Sequence, residues 1–272
     1  MEANDFTIDD LDAIKPILPH DDLLFDELAA AYNFRNVSDR SRLFARLIIK
    51  ELQHRPSPRG VVDAGCGLGL GRGKQAQDYV RAIAAHCEQY FGVEPDPDVK
   101  PTHGCFDQLQ HALFEESELP TEQFDVVYSF LVMEHVTDPV PFVETAYRAL
   151  KPGGVFIFMT MNQRHYFTRI ASALHRLKID EPVLRMVHGK KTENYHYPVA
   201  YRFNHPKIID QVAERVGFES PQYAYTEVKG PVSYFPGPLR LFYNWRLRSR
   251  QNRKAPERLL EIYGRMVKPV NQ

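Results

Sequence analysis

The densest chemical signal in this sequence is Val61 to Gly73, VVDAGCGLGLGRG, a glycine-rich turn placed directly after a short apolar run and before a helical stretch. Glycines let the main chain pass close to a ligand and adopt positive φ. The unpaired N–H groups at a helix start attract a carboxylate or phosphate. An anionic group is therefore expected at this loop. The dinucleotide frame G-x-G-x-x-G fails, because Gly65-x-Gly67 is followed three positions later by Leu70. The spacing is instead D-x-G-x-G-x-G over Asp63, Gly65, Gly67 and Gly69. Cys66, between glycines, reads as a small buried spacer rather than a nucleophile. The histidines at 165, 175, 188, 196 and 205 lack close metal-ligand spacing, so no metal is predicted.

Such a loop works only if strands and helices hold it. From Val61 onward, short apolar runs alternate with longer helical stretches, the pattern of a parallel sheet covered on both faces. Strands are predicted at Gly60 to Ala64, Tyr90 to Glu94, Ala112 to Glu115, Phe124 to Phe130 and Val155 to Thr160. The last two are dense in Val, Ile and Phe, as strands buried on both faces should be. Asp138-Pro139 is an N-cap with proline at the first helical position, and Lys151-Pro152-Gly153-Gly154 ends that helix. Pro206 to Gly217 reads as a second amphipathic helix ending on glycine, and Phe218 to Val228 as a last strand or hairpin. Met161 to Phe203 carries many His, Tyr and Arg residues without strand alternation, so it reads as an insertion.

The segments follow an order that resembles the class I S-adenosylmethionine-dependent methyltransferases: the D-x-G-x-G-x-G loop, FGVEPDPDV, the acidic turn Glu115-Glu116-Ser117-Glu118-Leu119-Pro120, FDVVYSFLVMEHV, and RALKPGG before a strand. The resemblance is firm from Val61 to Thr160 and echoed in TMNQRHY, YHYPVAYRFN and ERVGF, as in a bacterial subgroup acting on small molecules or glycans. It implies an α/β, Rossmann-like fold: a mostly parallel seven-stranded sheet with helices on both faces, a helical insertion and a C-terminal appendage. It also implies S-adenosyl-L-methionine as cofactor. By position, the backbone of Gly65, Cys66 and Gly67 would receive the methionine carboxylate, with Gly69 completing the loop and Asp63 favouring the ammonium. Glu94, ahead of Asp96 and Asp98, would take the ribose hydroxyls, and Pro95 would pack on the adenine. Glu115, with Glu116 beside it, would accept from the adenine amino group, and Ser129 and Phe130 would line the methionine arm. Asp63 to Glu94 is longer than the family's spacing, which implies an insertion around Arg72 to Arg81. An oxygen acceptor needs a base; His135, just past the fourth strand, is the first candidate and His165 the second.

Composition bounds these readings. A chain of 272 residues, 43% hydrophobic and 12% aromatic, is not disordered as a whole. With 34 Lys+Arg against 35 Asp+Glu, it has no global positive field, so nucleic acid is not an expected partner. Its 3 cysteines form no C-x-x-C pair and suit a reducing, cytoplasmic setting. The N-terminus lacks a signal-peptide pattern, and no apolar run is long enough to span a bilayer. The expected divisions are an acidic helical cap over 1–55, a cofactor-binding core over 56–161, a substrate lid over 162–204, the end of the core over 205–230 and a basic, aromatic appendage over 231–272. His165, Tyr166, His196, Tyr197, Tyr201 and Arg202 would give the lid a polar lining for a small-molecule or glycan acceptor. The appendage, with Phe242, Tyr243 and Trp245 among its bases, permits peripheral membrane or anionic-carrier contact. Two other readings compete: a non-catalytic cofactor-binding scaffold, and a nicotinamide-dependent oxidoreductase, which the failed G-x-G-x-x-G frame opposes.

Overall fold

The computed structural model describes residues 40–71, 74–176, 199–227 and 256–270, with short helical stretches at 241–242, 245–246 and 249. Seven strands form one sheet: β1 (Gly60–Ala64), β2 (Gln89–Val93), β3 (Gln108–Gln110), β4 (Phe124–Phe130), β5 (Leu150–Met161), β6 (Gln222–Thr226) and β7 (Glu261–Val267). Their order is β3-β2-β1-β4-β5-β7-β6. Pairings from β3 through β5 are parallel, and β7 runs antiparallel to both β5 and β6. The helices are α1 (Arg40–Gln53), α2 (Lys74–Ala84), α3 (Pro139–Ala149), α4 (Tyr166–Arg176) and α5 (Pro206–Val216).

Alternation along the strands feeds two cores, one on each side of the sheet. Val61 of β1, Val126, Tyr128 and Phe130 of β4, and Val155, Ile157 and Met159 of β5 pack with Leu43, Phe44, Leu47 and Ile48 of α1 and Val80 and Ile83 of α2. Their neighbours Val62, Val127, Phe156 and Phe158 point the other way, onto Phe142, Val143 and Ala146 of α3 and Ile209, Val212 and Ala213 of α5. Burial of both faces makes β4, apart from Asp125 and Ser129, and the Val155–Met159 part of β5 read as apolar runs.

The caps act where the sequence places them. Asp138 accepts from the Val140 N–H at 3.3 Å with Pro139 following, and α5 ends on Gly217 at φ 103°. Two elements differ from the sequence reading. Ala112 to Glu115 is not a strand: a 3-10 turn at Phe114–Glu116 drives Phe114 into the core, and the edge strand is the polar Gln108–Gln110. In addition, Glu261–Val267, read as part of the appendage, lies inside the sheet, where Ile262 and Met266 enter the α3/α5 core and Tyr263 enters the other. The bases of this region had masked its alternation. Arg265 turns out to Glu51 of α1 at 3.0 Å, and Lys268 places Nζ on the Leu150 carbonyl at 2.8 Å.

Candidate functional site

The loop after β1 is shaped by backbone bonds. The N–H groups of Gly65 and Cys66 both donate to the Val93 carbonyl, at 2.8 and 3.0 Å, so the end of β2 pins the turn. Gly65 sits at φ 79°, and a Cβ there would stand 2.5 Å from Val132 Cγ2. A Cβ at Gly69, φ 122°, would stand 2.7 Å from the Ala76 carbonyl oxygen of α2. Gly67 differs: at φ 49° it has no atom within 4 Å of where a Cβ would stand. The first and third glycines are thus required by neighbouring protein, whereas the second borders open space.

Glu94, at the end of β2, meets the same glycine through its main chain. Its carboxylate accepts from the Gly67 N–H at 2.9 Å and from the Asp96 N–H at 3.1 Å, and its side chain is otherwise buried. Asp96 accepts from the Asp98 N–H instead, and Pro95 is half-buried between these acids. Asp63 lies beneath the loop. It is 1% exposed, and its carboxylate accepts from the Tyr128 hydroxyl at 2.7 Å; Tyr128 in turn pairs with the Tyr90 hydroxyl. Burial pushes the Asp63 carboxyl up to about 8; Tyr128 opposes that rise and the charge of Glu94 adds to it. Burial also drives the Cys66 thiol far above its ordinary value, which fits a spacer rather than a nucleophile.

Ser129 and Phe130, both buried, end β4, and Leu131 turns the chain at φ 59°. The Ser129 hydroxyl has no hydrogen-bond partner among the described residues. Glu115 is half-buried and Glu116 exposed on the 3-10 turn, and no described hydrogen bond ties either carboxylate to the glycine loop.

The other half of the carboxyl edge is built from side chains far apart in sequence. Glu134, immediately before the half-buried His135, accepts from the Thr160 hydroxyl of β5 at 2.7 Å. Its backbone carbonyl receives the N–H groups of Ala200 and Tyr201, both at 2.9 Å, which anchors the chain returning from the insertion. Burial raises the Glu134 carboxyl, while His135, Thr160 and Arg40 act to lower it. Glu261, wholly buried, accepts from Arg40 at 2.9 Å and from the Thr226 hydroxyl at 2.9 Å. Asn162 fixes the base of the insertion by donating to the Leu259 carbonyl at 2.7 Å.

His165 is fully buried and caps α4, accepting from the Phe167 N–H at 3.2 Å, with Nε2 3.7 Å from Glu227. His135, by contrast, stands half-buried at the turn after β4. Tyr201 takes φ 53°, its carbonyl accepts from Gln163, and Arg202 donates to the Thr137 carbonyl at 3.5 Å. His196, Tyr197 and Tyr243 lie outside the described residues, as do residues 1–39 of the expected cap and Arg72 and Gly73 of the loop. Sequence reasoning passed over Tyr128, Glu134 as an anchor, and the Arg40–Glu261 pair. The first had a signal, a tyrosine among the valines and phenylalanines of the fourth strand; the pair, 221 positions apart, had none.

Comparison with known proteins matches a methyltransferase-domain family model over residues 36–220. A probable S-adenosylmethionine-dependent methyltransferase of Mycolicibacterium smegmatis is 34% identical over 125 residues, 43% of this chain and 44% of the relative. The mitochondrial ubiquinone biosynthesis O-methyltransferase of Dictyostelium discoideum is 24% identical over 218 residues, covering 74% and 61% of the two chains. The chain thus spans about half the length of the curated relatives it matches. Among solved structures, an S-adenosylmethionine-dependent methyltransferase from Archaeoglobus fulgidus aligns with a TM-score of 0.52 at 17% identity, covering 84% of this chain and 94% of that one. Phosphoethanolamine N-methyltransferase 2 of Haemonchus contortus, bound to S-adenosyl-L-methionine, gives 0.53 at 16% identity, covering 90% and 56%. These likenesses carry the fold, a Rossmann-like seven-stranded sheet.

Proposed function

The chain belongs to the methyltransferase-domain family, and from that premise we propose that it transfers a methyl group from S-adenosylmethionine to the hydroxyl of a small molecule or glycan. One observation carries this reading: a glycine with open space at its Cβ position sits 2.9 Å from a carboxylate that the end of β2 presents to the same loop. The space suits a ligand pressed against the main chain, and the paired oxygens of Glu94 suit a vicinal diol. The buried Ser129 hydroxyl without a described protein partner fits the same cradle.

S-adenosylmethionine, when bound, supplies a methyl group already activated by a sulfonium. What remains for the protein is alignment and removal of a proton. The Gly65–Gly67 backbone and Glu94 orient the donor. An imidazole nitrogen of His135 takes the hydroxyl proton as the oxygen–carbon bond forms and the carbon–sulfur bond breaks. The relatives named as O-methyltransferases support oxygen as the acceptor atom. The hydrogen bonds of Tyr201 to Glu134 and Gln163 and of Arg202 to Thr137 support the reading in which these two residues line the acceptor side of the lid.

Calorimetric titration with S-adenosylmethionine and S-adenosylhomocysteine tests the donor assignment. Wild-type protein should bind both at micromolar concentration. Gly67→Arg, whose side chain would fill the open space, should weaken both by at least about a hundredfold, roughly 2.7 kcal/mol. Equal binding by the variant would remove the loop from the site. Binding without turnover on any hydroxylated acceptor would favour the scaffold reading.

A further inference from the structure

Outside the site, the described residues hold one short helical segment whose large apolar side chains stand in water. Leu241 is 74% exposed, Phe242 53% and Trp245 59%, and Phe242 and Trp245 lie 5.7 Å apart, ring centre to ring centre. Residues 241–242 and 245–246 are α-helical, and the ring contact sets Phe242 beside Trp245. Arg246 holds its guanidinium 5.9 Å from the Trp245 ring centre. The sequence from Arg240 to Ala255 contains Arg240, Arg246, Arg248, Arg250, Arg253 and Lys254 and no acid, in a chain of net charge −1.

We propose that this segment docks the protein on an anionic lipid bilayer, lying in the interface without crossing it. The reading is independent of methyl transfer. Charge complementarity selects the partner: six bases without an acid attract a surface of phosphodiester headgroups, each base near such a surface strengthening binding about fivefold. The apolar side chains then separate a bilayer from a nucleic acid. Phe242 and Trp245 could stack on bases, but Leu241, the most exposed of the three, has no base face to match and gains only where acyl chains receive it. Trp and Phe beside Arg are also the residues that settle at headgroup depth. No described helix is long and apolar enough to span a membrane, which agrees with a segment lying in the plane of the surface.

The test is direct because Trp245 is the only tryptophan in the chain. Full-length protein, without cofactor, is titrated with phosphatidylglycerol/phosphatidylcholine vesicles and with pure phosphatidylcholine vesicles, following tryptophan emission and co-sedimentation. The expected result is a shift to shorter wavelength and co-sedimentation with the anionic vesicles, both weakened by added salt and much reduced on the zwitterionic ones. Arg246→Glu should weaken partition by at least about fivefold. Leu241→Ser with Phe242→Ser, which keeps the tryptophan, should weaken it by at least about tenfold. Both variants should bind S-adenosylhomocysteine as wild type does.

Unchanged emission and no co-sedimentation on anionic vesicles would overturn the proposal. So would a shift that grows with protein concentration alone, which marks a second copy of the chain as the partner. A response to a single-stranded oligonucleotide in the absence of any vesicle response would overturn it in favour of nucleic acid. Loss of cofactor binding with vesicle binding intact would sink the methyl-transfer reading and leave this one standing.

Discussion

The two halves of the sheet's carboxyl edge are constructed on different rules. Around β1 and β2 the loop is shaped chiefly by main chain, three glycines and the Val93 carbonyl, with the Glu94 carboxylate on it and the Asp63–Tyr128 pair beneath it. Around β5 and β7 the edge is side chains: Glu134 to Thr160, Arg40 to Glu261, Thr226 to Glu261. If, as proposed, the first half takes the methyl donor and the second the acceptor, a backbone cradle suits what every donor molecule shares, while side-chain pairs drawn from distant elements can be exchanged one at a time. The contrast teaches that the proposed donor half is constrained by geometry and the proposed acceptor half by pairing.

If the halves are separable, His135→Ala should lower kcat by at least about a hundredfold while the affinity for S-adenosylhomocysteine stays within twofold or so of wild type. A parallel fall in cofactor affinity would merge the two halves into one unit. Arg40→Ala is next in size. It leaves Glu261 buried without its cation, and because Arg40 is itself about one-third exposed the loss should fall below that of a fully buried pair, about 2 kcal/mol in urea unfolding. Arg40→Lys should recover part of that loss, and cofactor titration of the folded fraction should be unaffected. A loss of donor affinity in Arg40→Ala would contradict the division.

The remaining effect concerns Asp63, beneath the glycine loop, and is read through pH. Burial holds the folded-state Asp63 carboxyl up to about 8, against an ordinary value of 3.8. Between those values the folded protein keeps a proton that the unfolded chain releases, so this group makes stability fall as pH rises from about 4 to about 8 and adds no slope above that. Asp63→Asn still offers Tyr128 an acceptor oxygen and removes the titration. Its thermal midpoint should therefore fall less steeply than that of wild type over this window, with the variant gaining relative stability towards pH 8. Identical slopes in the two proteins would show that Asp63 does not carry the dependence.

The same contrast explains what could be read from sequence. The loop, Glu94 and the Asp138 cap are local patterns, and a local pattern survives without coordinates. β4 and the Val155–Thr160 part of β5 were legible because both of their faces are buried and their apolar residues outweigh the single acid, Asp125. β3 was misplaced because Gln108–Gln110 is a polar edge, while the apolar Leu113-Phe114 nearby looks more like a strand but supplies a single core residue from a 3-10 turn. β7 was missed because Arg265 and Lys268 colour its segment as basic, although one lies on a helix carboxylate and the other on buried carbonyls. The acceptor half was least legible, since each of its contacts joins residues from 26 to 221 positions apart.

Strand β7 also orders events in time. A chain made from its amino end can pair β1 through β5 as each emerges, because every neighbour in that series already exists. β6 is made before its sole neighbour in the sheet, so it waits as an unpaired edge until Glu261–Val267 clears the ribosome. The same seven residues bring Glu261 to Arg40. Synthesis of one late strand therefore completes the sheet, buries the last acid and joins β5 to β6 at once, while the glycine loop and Glu94 can assemble on a nascent chain that does not yet have β7.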